Sequence, residues 1–78
     1  MKYLVARYAK DEDTPESVTD VSSVGADAFA GLLAMPADRL TDVYPLGPEH
    51  ADGFHRLTGM ALDLDRFEYF LEVEDSPA

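Results

Sequence analysis

The chain has 78 residues, of which 16 are acidic and 6 basic, with no cysteine and a formal net charge of −10 at pH 7. This length predicts one domain with one small core, and the lack of cysteine excludes a disulfide framework and cysteine-based zinc fingers. The charge disfavours direct binding to nucleic acid or anionic membranes. No apolar run resembles a membrane span or a signal peptide, so we expect a cytoplasmic protein.

The first 24 residues predict two strands joined by an acidic turn. Residues 2–9 form the first strand, but both of its faces are mostly apolar, so alternation leaves open which face is buried. Residues 10–15 predict a solvated hairpin turn, because they lack the glycine and the later glutamate of a calcium loop. Residues 17–24 predict a weaker edge strand, with a bulge where the alternation slips between Val18 and Val21.

Two helices and a short strand are predicted next. Residues 26–34 form a helix with a core stripe at Ala26, Phe29, Ala30 and Leu33, and Pro36 ends that segment. Residues 40–44 form a third strand that stops before Pro45.

A second short helix is expected to open at Gly47, Pro48 and Glu49 and to stop at Gly59. Ala51, Phe54 and Leu57 are placed inward in this helix. Gly53 in its middle weakens it by roughly 1 kcal/mol relative to alanine.

The last strand carries the clearest pattern in the chain. Phe67, Tyr69, Leu71 and Val73 alternate with Glu68, Phe70, Glu72 and Glu74, which predicts a core face and an acidic face holding a single ring. Residues 63–75 contain six acids and one base, half of the net charge. Phe70 is therefore either an anchor for a basic partner or a ring covered by the chain's own loops or left singly exposed.

The element order β-β-α-β-α-β predicts an α+β fold. We expect a four-stranded antiparallel sheet with short helices on one face and an open acidic face. Residues 1–78 form a single domain in this interpretation, with residues 75–78 as a frayed tail.

Few residues suggest catalysis, a metal or a cofactor. His50 and His55 are five apart and do not share a helix face well, so we expect both to be exposed. Asp63 and Asp65 can point the same way at a strand entry, although a solvated turn is the commoner reason for such a pair. We predict no catalytic residues, no metal and no cofactor, and a small metal-dependent enzyme using these two aspartates is the most distant alternative.

Two stretches in the C-terminal half match a known pattern. Residues 42–46 (Asp-Val-Tyr-Pro-Leu) and 62–71 (Leu-Asp-Leu-Asp-Arg-Phe-Glu-Tyr-Phe-Leu) resemble the cloacin immunity protein family, whose members protect bacteria that make ribonuclease-type colicins. The similarity runs from about residue 41 to 75, and the N-terminal half agrees only in its pattern of elements. The resemblance implies a small acidic protein that binds a basic toxin nuclease domain tightly and blocks its access to RNA.

The resemblance also assigns roles to individual residues. Phe70 and Tyr8 match aromatic interface residues, which would place Tyr8 outward, and Val43 matches a position that varies to select the cognate toxin. The predicted partner-binding residues are therefore Tyr8, Val43, Glu68, Phe70, Glu72 and Glu74. The chain departs from the family pattern at two residues, because Arg7 and Pro15 stand where the family carries aromatic residues. These differences leave open which class of nuclease is the cognate toxin.

The predicted function is that of an immunity protein and not an enzyme. It would bind a basic nuclease domain, most simply a ribonuclease, in a one-to-one complex and occlude its nucleic-acid-binding surface, without itself contacting nucleic acid or membrane. The alternative is an acidic adaptor or regulatory module that uses the same face without inhibiting anything. The exposed sheet also leaves a homodimer open, although none is predicted.

Overall fold

The computed structural model describes residues 2–40 and 42–74. Within them the chain forms a four-stranded antiparallel sheet in the order β2-β1-β4-β3, as predicted. The predicted tail, residues 75–78, lies outside the described residues. The elements are β1 (Lys2–Ala9), β2 (Ser17–Asp20), a 3₁₀ helix (Ser22–Val24), α1 (Ala26–Leu33), a 3₁₀ helix (Ala37–Arg39), β3 (Val43–Leu46), α2 (Pro48–Thr58) and β4 (Phe67–Glu74).

The core lies between the central strands and the two helices. Val5 of β1 stands opposite Leu71 of β4 in the ladder, and their exposed fractions are 1% and 0%. The rings of Phe29 from α1 and Phe54 from α2 are fully buried in the same cluster. Each such side chain contributes roughly 1.5–3 kcal/mol through burial. The core face predicted for the last strand is therefore confirmed, since Phe67, Tyr69, Leu71 and Val73 all belong to or pack against this cluster.

The helix α1 is shorter than predicted by one residue. Ala34 has a left-handed backbone with φ of 55°, and the Met35 N–H donates to the Ala30 carbonyl at 3.0 Å. This local reversal ends the helix before Pro36 can do so, which corrects the role given to that proline.

The helix α2 opens at Pro48 and ends at Gly59, where φ is 78°, as predicted. Its middle passes very close to α1, because a Cβ built on Gly53 would lie 2.7 Å from Leu32 Cδ1. The inward placement of Leu57 is wrong: that side chain is 37% exposed. Leu57 lies beside Leu32 on the outer side of the interhelix contact, while Phe54 fills the core.

The second strand ends four residues earlier than predicted. Its ladder with β1 stops at Asp20, whose carboxylate accepts a 2.8 Å hydrogen bond from the Ser22 N–H. The 3₁₀ helix follows directly after Val21, which turns into the core at 5% exposure. The slip in alternation therefore marks the end of an edge strand and is not a bulge.

The third strand is displaced from its predicted position and contains Pro45. Leu40 is buried at the end of the second 3₁₀ helix and is not part of the strand. Proline is tolerated here because β3 is an edge strand. The Val73 N–H donates to the Asp42 carbonyl, so Val43 and Pro45 direct their backbone groups away from β4. The Val43 N–H instead donates to its neighbour's carboxylate, at 2.8 Å from Asp42 Oδ1.

Candidate functional site

Both helices cover one face of the sheet, and we call the other face the open face. Residues directly opposite each other in an antiparallel pair point to the same side. Phe70 stands opposite Ala6 of β1 and Pro45 of β3, so these three side chains share the open face. By the same register, its members are Lys2, Leu4, Ala6, Tyr8, Val18, Asp20, Val43, Pro45, Glu68, Phe70, Glu72 and Glu74.

Two aromatic rings meet on the open face. Tyr3 and Val5 are buried against the helices, and strand alternation therefore directs Tyr8 to the opposite side. The Tyr8 and Phe70 ring centroids are 5.5 Å apart at an interplanar angle of 88°. Such an edge-to-face pair contributes roughly 0.5–1.5 kcal/mol beyond burial. The outward placement of Tyr8, which alternation alone left open, agrees with the position given by the resemblance.

A depression of about 430 Å³ surrounds these rings. We call it the acidic depression, and it is lined by Tyr8, Glu12, Asp13, Val43, Glu68, Phe70 and Glu72. The sequence prediction placed five of these residues on the site. It missed Glu12 and Asp13, which were interpreted only as part of a solvated turn. Glu74, also predicted for the site, shares the open face but stands opposite Lys2 at the far end of β4.

The four carboxylates of the acidic depression have no basic partner among the described residues. Ion pairs there join Arg7 to Glu16 at 3.3 Å and Arg66 to Asp63 at 3.9 Å. Neither of these pairs uses a carboxylate of the acidic depression. Unpaired like charges around a concave surface produce a negative potential that attracts cations.

Arg7 is turned away from the acidic depression. It stands opposite Tyr69 on the helix side of the sheet, with its guanidinium 4.5 Å from the centre of the Phe67 ring. The departure from the cloacin pattern at this residue therefore leaves the charge of the open face unchanged.

A family model for the domain of unknown function DUF7683 matches residues 2–72 of the chain. The chain belongs to the DUF7683 family. Every residue of the acidic depression lies inside the matched range, whereas Glu74 lies beyond it. No curated protein and no solved structure matches the chain.

The histidines of this DUF7683 domain differ from each other. His55 is exposed as predicted, but the prediction for His50 is wrong. Its side chain is only 17% exposed, and its Nδ1 accepts a hydrogen bond from the Gly47 N–H at 3.0 Å. His50 thus satisfies a backbone donor at the start of α2.

The two aspartates ahead of β4 lie in an exposed turn of the DUF7683 domain. The Asp63 N–H donates to the Tyr69 hydroxyl at 3.2 Å, which fixes the turn against the sheet. In residues 2–40 and 42–74, no group of three or more histidine, cysteine, aspartate or glutamate side chains is arranged to hold a metal ion. Across the same residues, no helix is both long and apolar enough to cross a bilayer.

Proposed function

We propose that this protein is a bacterial immunity protein that binds and neutralises a basic toxin nuclease domain in the cytoplasm. The observation that carries the proposal is the pairing of Tyr8 and Phe70 among unpaired carboxylates, on the sheet face that none of the described helices covers. The similarity of residues 42–46 and 62–71 to cloacin immunity proteins supports the same interpretation.

The proposed mechanism is occlusion. Nuclease domains bind phosphates through basic side chains, and the glutamates of β4 offer oxyanions to the same side chains. Alternate residues along a strand are roughly 6.5–7 Å apart, so Glu68 and Glu72 present separate anionic contacts on either side of Phe70. The protein then covers the nucleic-acid surface of the toxin without performing chemistry, and needs no cofactor.

The ring and the acids have different tasks in this mechanism. The acids accelerate encounter with a basic surface, and their effect weakens with salt. The ring supplies the apolar area that is removed from water in the complex, where aromatic anchors dominate binding energy. Val43, which is 52% exposed beside the rings, adds an apolar contact whose size can discriminate between partners.

The test is titration of the protein into the basic C-terminal domain of a candidate toxin encoded by a neighbouring gene, at low and moderate salt, with nuclease activity followed in parallel. We expect nanomolar or tighter one-to-one binding that weakens with salt and abolishes cleavage. Binding without loss of cleavage would favour an acidic adaptor instead. No binding at either salt concentration would contradict the proposal.

Two matched variants locate the interface. Phe70→Ala should weaken binding by about 2 kcal/mol or more, roughly thirtyfold, because it removes the ring at the centre of the acidic depression. Leu57→Ala truncates an exposed apolar side chain on α2, away from the open face, and should leave affinity unchanged. Equal effects of the two substitutions would remove Phe70 from the interface.

A further inference from the structure

The acidic depression is large enough to receive a side chain of a partner. Small-ligand pockets occupy roughly 300–1,000 Å³, and the depression, at about 430 Å³, lies near the lower limit. A space of this size can receive a long side chain of a partner. Its occupant must also suit two rings and four carboxylates.

We propose that the acidic depression is a receptor for one arginine side chain of the partner, which it prefers to lysine. This inference names the chemistry recognised by the proposed function and rests on it only for the identity of the partner. The occupant is a cation because the walls carry Glu12, Asp13, Glu68 and Glu72, none of which is paired with a base among the described residues.

The aromatic pair favours a guanidinium over an ammonium group. The Tyr8 and Phe70 rings stand almost perpendicular, at 88°. A flat cation can therefore stack on the face of one ring while its own edge points toward the other ring. Arginine stacks on aromatic faces and is more weakly hydrated than lysine, so it loses less on leaving water.

The arrangement of the acids favours the same choice. Glu68 and Glu72 reach the depression from β4, while Glu12 and Asp13 reach it from the hairpin that follows β1. Acceptors therefore stand on two sides of the rings. A guanidinium carries five donors in a rigid fork that can meet carboxylates in two directions, whereas an ammonium is a compact point charge with three.

Among the described residues, no arginine lines this space. Arg7 is on the helix side of the sheet, stacked on Phe67, and Arg66 lies beside Asp63 in the turn ahead of β4. Lys2 is the one base in the open-face register of the described residues, and it stands opposite Glu74 at the other end of the strand. Lys10 lines the adjoining groove with Glu68 and Phe70 but makes no ion pair among the described residues, so we assign the complementary charge to the partner.

The test uses blocked tripeptides Gly-Arg-Gly, Gly-Lys-Gly and Gly-citrulline-Gly added to the isolated full chain and followed by NMR. We expect the arginine peptide to shift the ring signals of Tyr8 and Phe70 and to bind about fivefold tighter than the lysine peptide. Citrulline keeps the shape of arginine without its charge, and it should produce no shift. Equal binding of arginine and lysine, or shifts away from the two rings, would overturn the inference.

Two charge-removing variants distinguish binding in the acidic depression from attraction by the net negative charge of the protein. Glu68→Gln should weaken arginine binding severalfold. Glu49→Gln removes an equal charge from α2, where the side chain is 70% exposed, and should change it little. An equal loss of arginine affinity in both variants would show that net charge alone explains the binding, and it would overturn the inference. Toxin inhibition without a preference for arginine would overturn the inference and support the proposed function. A preference for arginine without toxin inhibition would support the inference and overturn the proposed function.

Discussion

The close approach of Gly53 in α2 to Leu32 in α1 predicts how alanine at Gly53 affects stability. Glycine in a helix interior costs roughly 1 kcal/mol relative to alanine, so Gly53→Ala should gain that amount if space allows. The structure limits the space, since the new Cβ would lie 2.7 Å from Leu32 Cδ1. Carbon atoms prefer separations of roughly 3.5–4.0 Å, and one of the two groups must therefore move by nearly 1 Å.

Leu32 is the group that can move. It is half-buried and lines an open groove between the helices with Leu57 and Arg56, so its side chain can rotate instead of forcing the helices apart. Displacing a side chain from its preferred rotamer costs roughly 0.5–1.5 kcal/mol. This cost offsets the helical gain, and we expect Gly53→Ala to change the free energy of unfolding by less than about 0.5 kcal/mol.

A double-mutant cycle isolates the contact. In a Leu32→Ala background the obstacle is absent, and Gly53→Ala should then stabilise the chain by about 1 kcal/mol. Gly31→Ala is the matched control within α1, because nothing lies within 4 Å of a Cβ built there. It should give the full gain of about 1 kcal/mol in the wild-type background.

Urea unfolding followed by circular dichroism gives the free energy of unfolding of all four variants: Gly53→Ala, Leu32→Ala, the double variant and Gly31→Ala. The comparison requires that the slope of each transition is unchanged. A gain of about 1 kcal/mol from Gly53→Ala in the wild-type background would show that α1 and α2 are farther apart than described. An effect of Gly53→Ala that did not depend on the residue at position 32 would equally refute the steric account.

Three other predictions concern the open face and β2. Replacing Tyr8 and Phe70 by alanine, singly and together, should reveal a coupling of about 0.5–1.5 kcal/mol in urea unfolding; zero coupling would mean that the rings do not touch. Glu72→Lys should slow association with the toxin domain more than it speeds dissociation, measured by stopped flow; an effect on dissociation alone would place Glu72 at the centre of the interface. Hydrogen bonds from Ser22 lower the pKa of the Asp20 carboxyl, so its contribution to stability is present above the ordinary aspartate pKa and is lost as pH falls below it. Carbon-detected NMR titration should therefore give Asp20 a midpoint below the ordinary aspartate pKa, and a midpoint at the ordinary value would contradict this.

The last strand could be predicted because its side chains alternate with the two-residue period of a strand. In β4 the apolar and acidic residues alternate without interruption, and one face of that strand had to be buried in so small a chain. The edge strands were predicted less well because single local interactions set their ends. The Asp20 carboxylate ends β2 by bonding to the Ser22 N–H, and β3 contains Pro45 because its outer side has no partner strand.

The candidate site was predicted in part for the same reason. Alternation placed Phe70, Glu68 and Glu72 on one face, but it could not choose the outward side of β1, where both faces are apolar. Glu12 and Asp13 could not be predicted, because their approach to Phe70 depends on how the hairpin folds over the sheet. No feature of strand periodicity contains that information. The cloacin resemblance, the toxin partner and the inhibitory role remain predictions.

The edge formed by β3 also limits how copies of this chain can join. Pro45 has no N–H, and the Val43 N–H is already bonded to Asp42, so this edge offers an incoming strand only carbonyl acceptors at those two residues. Continuous growth of a fibre requires two edges able to pair. Two copies that meet through β2 would have a β3 edge on each outer side, and extension of the sheet would end at the pair.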